Sequence, residues 1–333
     1  MERPFDPPVA RPRGEVSRVI AYDGYQEFLD AFEEAGWTDG LPVAPPTASK
    51  VEALLSCAGL GSSDPIVERI GLTAEQVAIN AALAGCEPAH MPVVVAAVEA
   101  HFARSGAEDS SENGLADASL CVIVNGPVRD ALEIGSGPQC FGPGWPSNAS
   151  IGRALGLVVR GVGRSRSRTE PAFSTPDAYS FCFGEDEAHA PWEPTHVERG
   201  FAAGESTVTV HSVLASLPST EATRRTPDGV LDTLVETLRS RPALAGRWPD
   251  RPTQIVLVVG AEQQRVFRDA GWGRARMRDY LWPRLSAAQG SGTALALGEP
   301  EEMPIVAAGG RGMSWIWVLV AHTLAPVTLA IEN

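Results

Sequence analysis

The segment "FCFGEDEAHAPWEP" (residues 181–194) places three acidic residues and a histidine directly after a short apolar run. We predict that the run is a strand and that the polar residues lie in the loop that follows it. Glu185 or Glu187 together with His189 would then form an acid–base pair, because burial and neighbouring charges shift the pKa values of such groups. A solvated acidic turn is the alternative interpretation, above all for Asp186.

The same segment offers metal ligands as an alternative to acid–base chemistry. Carboxylates and imidazoles commonly bind metal ions in proteins. The candidate ligands are Glu185, Glu187 and His189 together with His196, two residues beyond the segment. Their spacing matches no established metal motif. We therefore expect a protein without a cofactor and keep a metal site as the alternative.

The stretch "QCFGPGWPSNASIGRA" (residues 139–154) is rich in glycine and proline and continues as a predicted helix. We predict Ser147 or Asn148 as the N-cap of that helix. A helix N-terminus attracts anions through its free N–H groups and its dipole. Asn148, Ser150 and Arg153 would therefore hold a carboxylate or phosphate group of a substrate. An ordinary capped helix behind a tight turn is the alternative.

Cys140, in the same stretch, is a candidate nucleophile. The nearby helix N-terminus is expected to lower the pKa of its thiol. A catalytic cysteine also needs a base, and His189 and His211 are the candidates for that role. The alternative is a cysteine without a chemical role.

Two other loops follow predicted strands and are further candidate binding segments. Asn125 and Gly126 end the predicted strand "SLCVIVNGP". The segment "AAGGRGMSWIW" (residues 307–317) follows another apolar run, and there Arg311 and Ser314 would face a ligand. Ligands of α/β proteins usually bind where such loops meet at the ends of strands. Plain tight turns are the alternative for both loops.

Composition excludes several classes of partner. The chain of 333 residues has 27 basic and 41 acidic residues, so its net charge of −14 repels phosphate backbones and argues against nucleic acid. Its only lysine, Lys50, lies at the start of a predicted helix, which argues against a pyridoxal phosphate enzyme. The longest apolar runs are too short to span a bilayer, so we expect no membrane partner.

Cysteine usage and the N-terminus point to a cytoplasmic protein. The five cysteines are scattered without any Cys-x-x-Cys pair, and an odd number does not fit a disulfide framework. Residues 1–20 are rich in proline and arginine and lack the apolar stretch of a signal peptide. We expect these residues to form a flexible tail.

The periodicity of apolar residues predicts an α/β fold. Helical patterns dominate residues 21–110, whereas apolar strand-like runs alternate with helices over residues 111–333. We therefore predict a layered sheet-and-helix body with a mainly helical N-terminal portion. The polar segment 102–118 is the predicted boundary between the two.

Several motifs together resemble a known family. They are "DGLPVAPPT", "AINAALAGCEP", "FGPG-x-x-x-NASIGRAL", "FCFGEDE-x-x-x-PWEP" and "DAGW-x6-DYLW". The chain resembles, from about Gly36 to Gly312, a poorly characterised bacterial family associated with proteins that carry a selenocysteine-Gly-Ser-Cys (UGSC) motif. This resemblance implies an enzyme or enzyme subunit that either works with a thiol or selenol redox partner or does different chemistry, because the chain itself has no Cys-Gly-Ser-Cys pair. It also implies altered chemistry or a specialised substrate, because Met313 stands where relatives carry a histidine.

Our leading hypothesis is an enzyme that acts on a small carboxylate-bearing molecule by acid–base chemistry, as a lyase, hydrolase or transferase. A role in specialised metabolism and a homo-oligomeric state are further expectations. One alternative is a subunit that docks a redox protein, and the other is a metalloenzyme that uses the Glu/His cluster.

Overall fold

The computed structural model of the chain describes residues 20–103, 118–163, 179–239, 254–286, 300, 303–311, 315–321 and 325–332. Its helices are α1 (Tyr25–Glu34), α2 (Ala48–Cys57), α3 (Ala74–Leu83), α4 (Met91–Phe102), α5 (Pro127–Ala131), α6 (Pro146–Gly163), α7 (Thr195–Glu198), α8 (Pro227–Arg239), α9 (Ala261–Asp269) and α10 (Arg274–Ser286). Its strands are β1 (Pro65–Val67), β2 (Leu72–Thr73), β3 (Ser119–Asn125), β4 (Phe181–Gly184), β5 (Thr207–Thr220), β6 (Gln254–Val259), β7 (Ile305–Ala307), β8 (Trp315–Ala321) and β9 (Val327–Ala330). The predicted α/β fold is confirmed.

The main sheet has the strand order β4-β3-β5-β8-β6-β7, and β9 pairs with β5 outside this path. Strands β3 and β4 are parallel, and so are β6 and β7. The pairs β3–β5, β5–β8 and β8–β6 are antiparallel. The long strand β5 joins the two parts of the sheet, because its first half pairs with β3 and its second half pairs with β8.

The sheet therefore consists of two halves, β4-β3-β5 and β7-β6-β8, which have the same strand order counted from the two edges of the sheet. In the first half, β3 is followed by α5 and α6, the parallel strand β4 and then β5. In the second half, β6 is followed by α9 and α10, the parallel strand β7 and then β8. The halves also share a local contact: the Glu185 N–H donates to the Val124 carbonyl at 3.1 Å, and the Ala308 N–H donates to the Val259 carbonyl at 3.2 Å.

The sheet curls until its two edge strands meet at one end. The Asp186 N–H, just after β4, donates to the carbonyl of Ala307 at the end of β7 at 2.7 Å. The Gly309 N–H donates to the Ser136 carbonyl at 2.8 Å. The loops that follow β4 and β7 therefore lie side by side, although more than a hundred residues separate them in sequence.

Alternation along the strands builds three apolar clusters. In β3, Leu120, Val122 and Val124 pack outward against the helices α1–α4 and α6. Cys121 and Ile123 point to the inner face of the curled sheet. The second half packs its outer face against α8, α9 and α10 in the same way. Residues from both sides of the predicted boundary at 102–118 therefore share one core, because the N-terminal helices cover the outer face of β3 and β5.

Helix α6 begins at Pro146, so the predicted N-caps Ser147 and Asn148 lie inside its first turn. Proline is favoured at this first position because its missing N–H would have no partner in the helix. One face of α6 buries Ile151, Leu155 and Val158 in the outer core, and the opposite face carries arginine. Within the ranges described above, no helix combines the length and the apolar character needed to cross a membrane.

Candidate active site

A cavity of about 410 Å³ lies where the loops of the two halves meet. The loop 136–138 forms one wall, and Asp186 and His189 from the loop after β4 form another. The first two turns of α9 and the segment Gly309–Arg311 after β7 complete it. The cavity therefore lies beyond the C-terminal ends of both parallel strand pairs, where α/β proteins commonly bind ligands.

An aspartate–histidine pair lies on the rim of this cavity. The ring nitrogen Nδ1 of His189 lies 2.8 Å from Oδ1 of Asp186. The Asp186 side chain is 14% exposed, whereas the His189 side chain is 70% exposed. The backbone carbonyls of both residues also have hydrogen-bond partners. Arg268 donates to the His189 carbonyl, and the Ala190 N–H donates to the Asp186 carbonyl. With Nδ1 bound to a carboxylate, Nε2 is the nitrogen that can exchange a proton with a molecule in the cavity.

Three arginines make the cavity a favourable place for an anion. Arg265, Arg268 and Arg311 border it, in a chain whose net charge is −14. Ala261 also lines it, and α9 begins at that residue directly after β6 and Gly260. The positive end of the helix dipole therefore faces the same space as the guanidinium groups.

One face of helix α9 carries the residues that line the cavity. Ala261, Arg265 and Arg268 are spaced at i, i+4 and i+7, which places them on one side of a helix. Gln264 lies among them and is buried, and its Nε2 donates to the Val259 carbonyl at 2.8 Å. This bond ties the face of the helix to the end of β6.

Glu185 is placed in the protein interior instead of the cavity. Its side chain is 0% exposed and forms an ion pair of 2.7 Å with Arg274, which is 4% exposed. The carboxylate also accepts hydrogen bonds from Asn125 Nδ2 at 2.7 Å and from the Thr195 N–H at 2.6 Å. A buried charge with so many partners anchors the loop after β4. Its proton-transfer role stays a prediction, and these contacts favour a structural role.

Glu187, Asn125 and Gly126 belong to the same internal network. Glu187 Oε1 accepts hydrogen bonds from Asn125 Nδ2 at 3.0 Å and from the Gly126 N–H at 2.7 Å. Gly126 has a φ of 83°, and a Cβ there would lie 2.1 Å from the carbonyl oxygen of Glu205. Only glycine fits such a close approach. None of these three residues lines the cavity of the described structure, so their predicted chemical roles are not supported by their position.

The side chains at the start of α6 also have internal partners. Asn148 Oδ1 accepts a hydrogen bond from the Gly135 N–H at 2.8 Å. Its Nδ2 donates to the carbonyls of Gly135, at 3.0 Å, and of Cys140, at 3.1 Å. Arg153 forms two bonds of 2.8 Å with the carboxylate of Asp39. Ser150 donates to the Gly85 carbonyl at 3.5 Å. The predicted anion site at this helix therefore has its side chains engaged elsewhere, although the preceding loop does form a wall of the cavity.

The expected lowering of the Cys140 thiol pKa is wrong. The pKa of this thiol is raised to about 12, chiefly by burial and to a smaller extent by the nearby Asp186 carboxylate. The backbone N–H groups of Cys140 and Phe141 lower it, but by less than burial raises it. Cys140 therefore remains a neutral, buried thiol, and this argues against its use as a nucleophile.

A serine–histidine contact elsewhere in the chain looks like a hydrolase pair but has the wrong proton arrangement. Ser147 Oγ lies 3.1 Å from His90 Nε2. The Glu87 N–H donates to His90 Nδ1, so Nε2 must carry the proton of the neutral ring and donate to the serine. The Ser147 hydroxyl donates in turn to the Leu132 carbonyl at 2.6 Å. His90 is therefore not a base for Ser147.

Of the two residues predicted in the loop after β7, Arg311 lies at the cavity. Ser314 and Met313 lie outside the described residues. The residues predicted to form a metal site do not converge: over the described part of the chain, no group of three or more His, Cys, Asp or Glu is arranged to hold a metal ion. His196, one of the four, is fully buried in α7.

The arginines of α9 are not predicted from the sequence as site residues, and Asp186 is interpreted there as part of a solvated acidic turn. The available signal was a helical pattern that starts one residue after the buried strand "QIVLVV" and repeats arginine on one face. No family model matches the chain, and no curated protein matches it. Function is therefore inferred from the cavity itself, which combines a histidine held by a carboxylate with three cationic side chains.

Proposed function

We propose that the protein is an enzyme that binds a small molecule through a carboxylate or other anionic group in this cavity. His189, oriented by Asp186, moves a proton to or from that molecule. The observation that carries the proposal is that a single cavity contains both this pair and three arginines. The reaction is a lyase, hydrolase or transferase reaction, since each of these can start with such a proton transfer.

The proton transfer follows from the orientation of the imidazole. Asp186 accepts a hydrogen bond from Nδ1–H of His189, which leaves the lone pair on Nε2 to take a proton. The imidazolium that forms is stabilised by the same carboxylate. A positioned acid–base group of this kind contributes about 10²–10⁴-fold to a rate.

The substrate anion is held by the arginines and by the start of α9. Arg311 is exposed, and the Arg265 side chain is 52% exposed and makes only a long ion pair of 3.7 Å with Glu262, so both can turn toward a ligand. Arg268 already contacts the His189 carbonyl, so its guanidinium lies beside the proposed proton-transfer group. A bidentate contact from a guanidinium to a carboxylate fixes both the position and the orientation of the substrate.

Binding is tested first, with acetate, succinate, citrate and inorganic phosphate at constant ionic strength. We expect at least one of these anions to raise the melting temperature of the wild type. The double variant Arg265→Ala/Arg311→Ala loses that shift, whereas Arg276→Ala, an exposed arginine of α10 outside the cavity, retains it. An equal shift in all three proteins would refute anion binding in this cavity.

Catalysis is tested by mass spectrometry of reaction mixtures that contain anions able to bind. We expect His189→Ala and Asp186→Asn to lower turnover about 10²–10⁴-fold and about 10-fold or more, respectively, without loss of ligand binding. His189 is mostly exposed, so its replacement leaves the free energy of unfolding nearly unchanged. Full turnover in both variants would exclude this pair. Turnover that requires an added thiol or selenol protein would favour the alternative of a redox-partner subunit.

A further inference from the structure

Three aromatic side chains form a row beside the cavity. The ring of Phe141 lies 6.2 Å from that of Trp317, with the planes at 78°. Trp317 in turn stacks on Trp315, with centroids 5.6 Å apart and planes within 11°. Phe141 is 39% exposed, and both tryptophans are partly exposed. These three residues are called the aromatic row below.

The aromatic row lies at the open end of the inner apolar cluster. Trp315 and Trp317 alternate along β8 with Ile316 and Val318, which face the outer helices. The two indoles therefore point to the inner face of the curled sheet. Phe141 packs edge to face on the buried Phe183 of that inner face, at 4.8 Å.

The main chain connects this row to the cavity on two sides. The Trp315 carbonyl accepts a hydrogen bond of 2.9 Å from the N–H of Gly260, and the next residue, Ala261, lines the cavity. Phe141 follows the cavity residue Pro138 by three positions. Two of the chain segments that form the cavity walls therefore carry or contact the aromatic row, although none of its three rings lines the cavity itself.

We propose that the aromatic row is a subsite for a planar aromatic group of the substrate whose anionic group lies among the arginines. This inference rests on the proposed function, because it assumes that the cavity binds an anion. The substrate class is then an aryl-bearing carboxylic acid, with its ring on the indoles and its carboxylate at Arg265 and Arg311. Stacked and edge-to-face contacts with indole rings favour such a ring over an alkyl chain.

The row fits one ring better than a protein surface. Only Phe141 is exposed by more than a third, whereas the indoles lie in the curled face and can be covered by a single planar group. A protein interface would need a patch of several hundred Å² of exposed apolar surface. Association through this face is therefore an outcome that the experiment must distinguish.

The test compares 2-naphthoate with cyclohexanecarboxylate and acetate, by calorimetry and by quenching of tryptophan fluorescence. In the wild type we expect 2-naphthoate to bind about tenfold more tightly than cyclohexanecarboxylate. This preference disappears in Phe141→Leu and in Trp315→Leu. It remains in Tyr25→Leu, which removes an exposed ring on α1.

The possible failures are separable. Equal affinity of the wild type for the three acids would overturn the aromatic subsite and leave the proposed anion site intact. Binding of no acid, with no effect of Arg265→Ala/Arg311→Ala, would overturn the proposed function and the subsite with it. If the row variants changed only the mass in solution, measured by light scattering, the row would be an interface between copies of the chain and the subsite would be wrong.

Discussion

The polar groups after β3 and β4 differ from those after β6 and β7 in what they contact. In the first half, the Asn125 amide donates to the carboxylates of Glu185 and Glu187, and both carboxylates also accept from backbone N–H groups. In the second half, Ala261 at the start of α9 and the segment Gly309–Arg311 border the cavity. The two halves share a topology, yet the first holds the loops in place and the second presents groups to a ligand.

This difference teaches that the same position in a fold can serve stability in one half and binding in the other. A charged or polar group with a full set of internal partners is costly to remove, whereas a group on a cavity wall is replaced at little cost. Asp186 and His189 are the exception in the first half, because they extend from the anchored loop into the cavity. The predictions below separate these two kinds of group.

The largest expected effect concerns the reactivity of Cys140. With a pKa of about 12, its thiol is ionised to about one part in ten thousand at pH 8, and it is also buried. Cys57 is exposed and serves as the internal control. We expect iodoacetamide to label Cys57 at least about a hundredfold faster than Cys140 in the folded protein, as measured by peptide mass spectrometry. Comparable labelling of both thiols would restore Cys140 as a candidate nucleophile.

The next largest effect is expected at the buried ion pair. Replacing Arg274 by methionine leaves the Glu185 carboxylate buried without its cation, so we expect a loss of about 3–5 kcal/mol in the free energy of unfolding. Denaturation by urea measures this loss. The matched control Arg265→Met removes an arginine of the cavity wall, and we expect it to change the free energy of unfolding by less than about 0.5 kcal/mol.

A double variant sharpens the same comparison. Adding Glu185→Gln to Arg274→Met removes the unpaired charge and should recover part of the stability, which a double-mutant cycle measures as a coupling energy. Similar losses in the free energy of unfolding for Arg274→Met and Arg265→Met would contradict the assignment of Arg274 to a structural ion pair and of Arg265 to the cavity wall.

A smaller effect is expected at Asn148. Its amide closes the loop between Gly135 and Cys140 through three hydrogen bonds, so Asn148→Ala leaves buried backbone groups without partners. We expect a loss of about 1–3 kcal/mol in the free energy of unfolding. Ser150→Ala, which removes one long contact from the same helix turn, is the control and should cost less than about 0.5 kcal/mol. An equally small loss at Asn148 would show that the amide does not hold the loop.

The smallest effect is a pH dependence at Asp39. Burial raises the pKa of this carboxyl, but the hydrogen bond and charge of Arg153 outweigh it, so the pKa lies below its ordinary value of 3.8. A lowered pKa in the folded state means that the stabilisation is present above pH 4 and is lost as the pH falls through the folded value. We expect the free energy of unfolding of the wild type to exceed that of Asp39→Asn by about 1 kcal/mol at pH 5–8. Urea denaturation at a series of pH values should show this difference shrinking progressively below pH 4. A difference that grows on acidification would contradict the ion pair.

Local patterns predicted the class of the fold and several elements well. The run "WIWVLVA" is β8 as residues Trp315–Ala321, because β-branched and aromatic residues in a short apolar run favour a strand. The run "STVTVHSVLA" alternates in the way typical of a strand, and its residues 207–215 belong to β5, which continues to Thr220. The extra residues pair with β8, which follows nearly a hundred residues later, and a local pattern carries no information on that pairing.

The site was predicted less well because its contacts are long-range. The pattern around Arg153 is that of an anion-binding helix, but Asp39, 114 residues away, occupies its guanidinium. In the same way Arg274, 89 residues from Glu185, makes that carboxylate an anchor. The segment after β4 and the residue Arg311 each follow an apolar run in the local sequence, but their meeting at one cavity depends on the long-range pairing of the sheet.

The walls of the cavity come from four segments that span residues 136–311, so ligand binding is coupled to the folding of the whole sheet. The site does not exist until both halves of the sheet have assembled, so a chain that has folded only its first half has no affinity for the ligand. A bound molecule would then act as a non-covalent cross-link that resists opening of the whole sheet, and mass action would shift the folding equilibrium in its favour. Resistance of the purified protein to a protease, measured with and without candidate acids, would thus report occupancy of the site before any reaction is known.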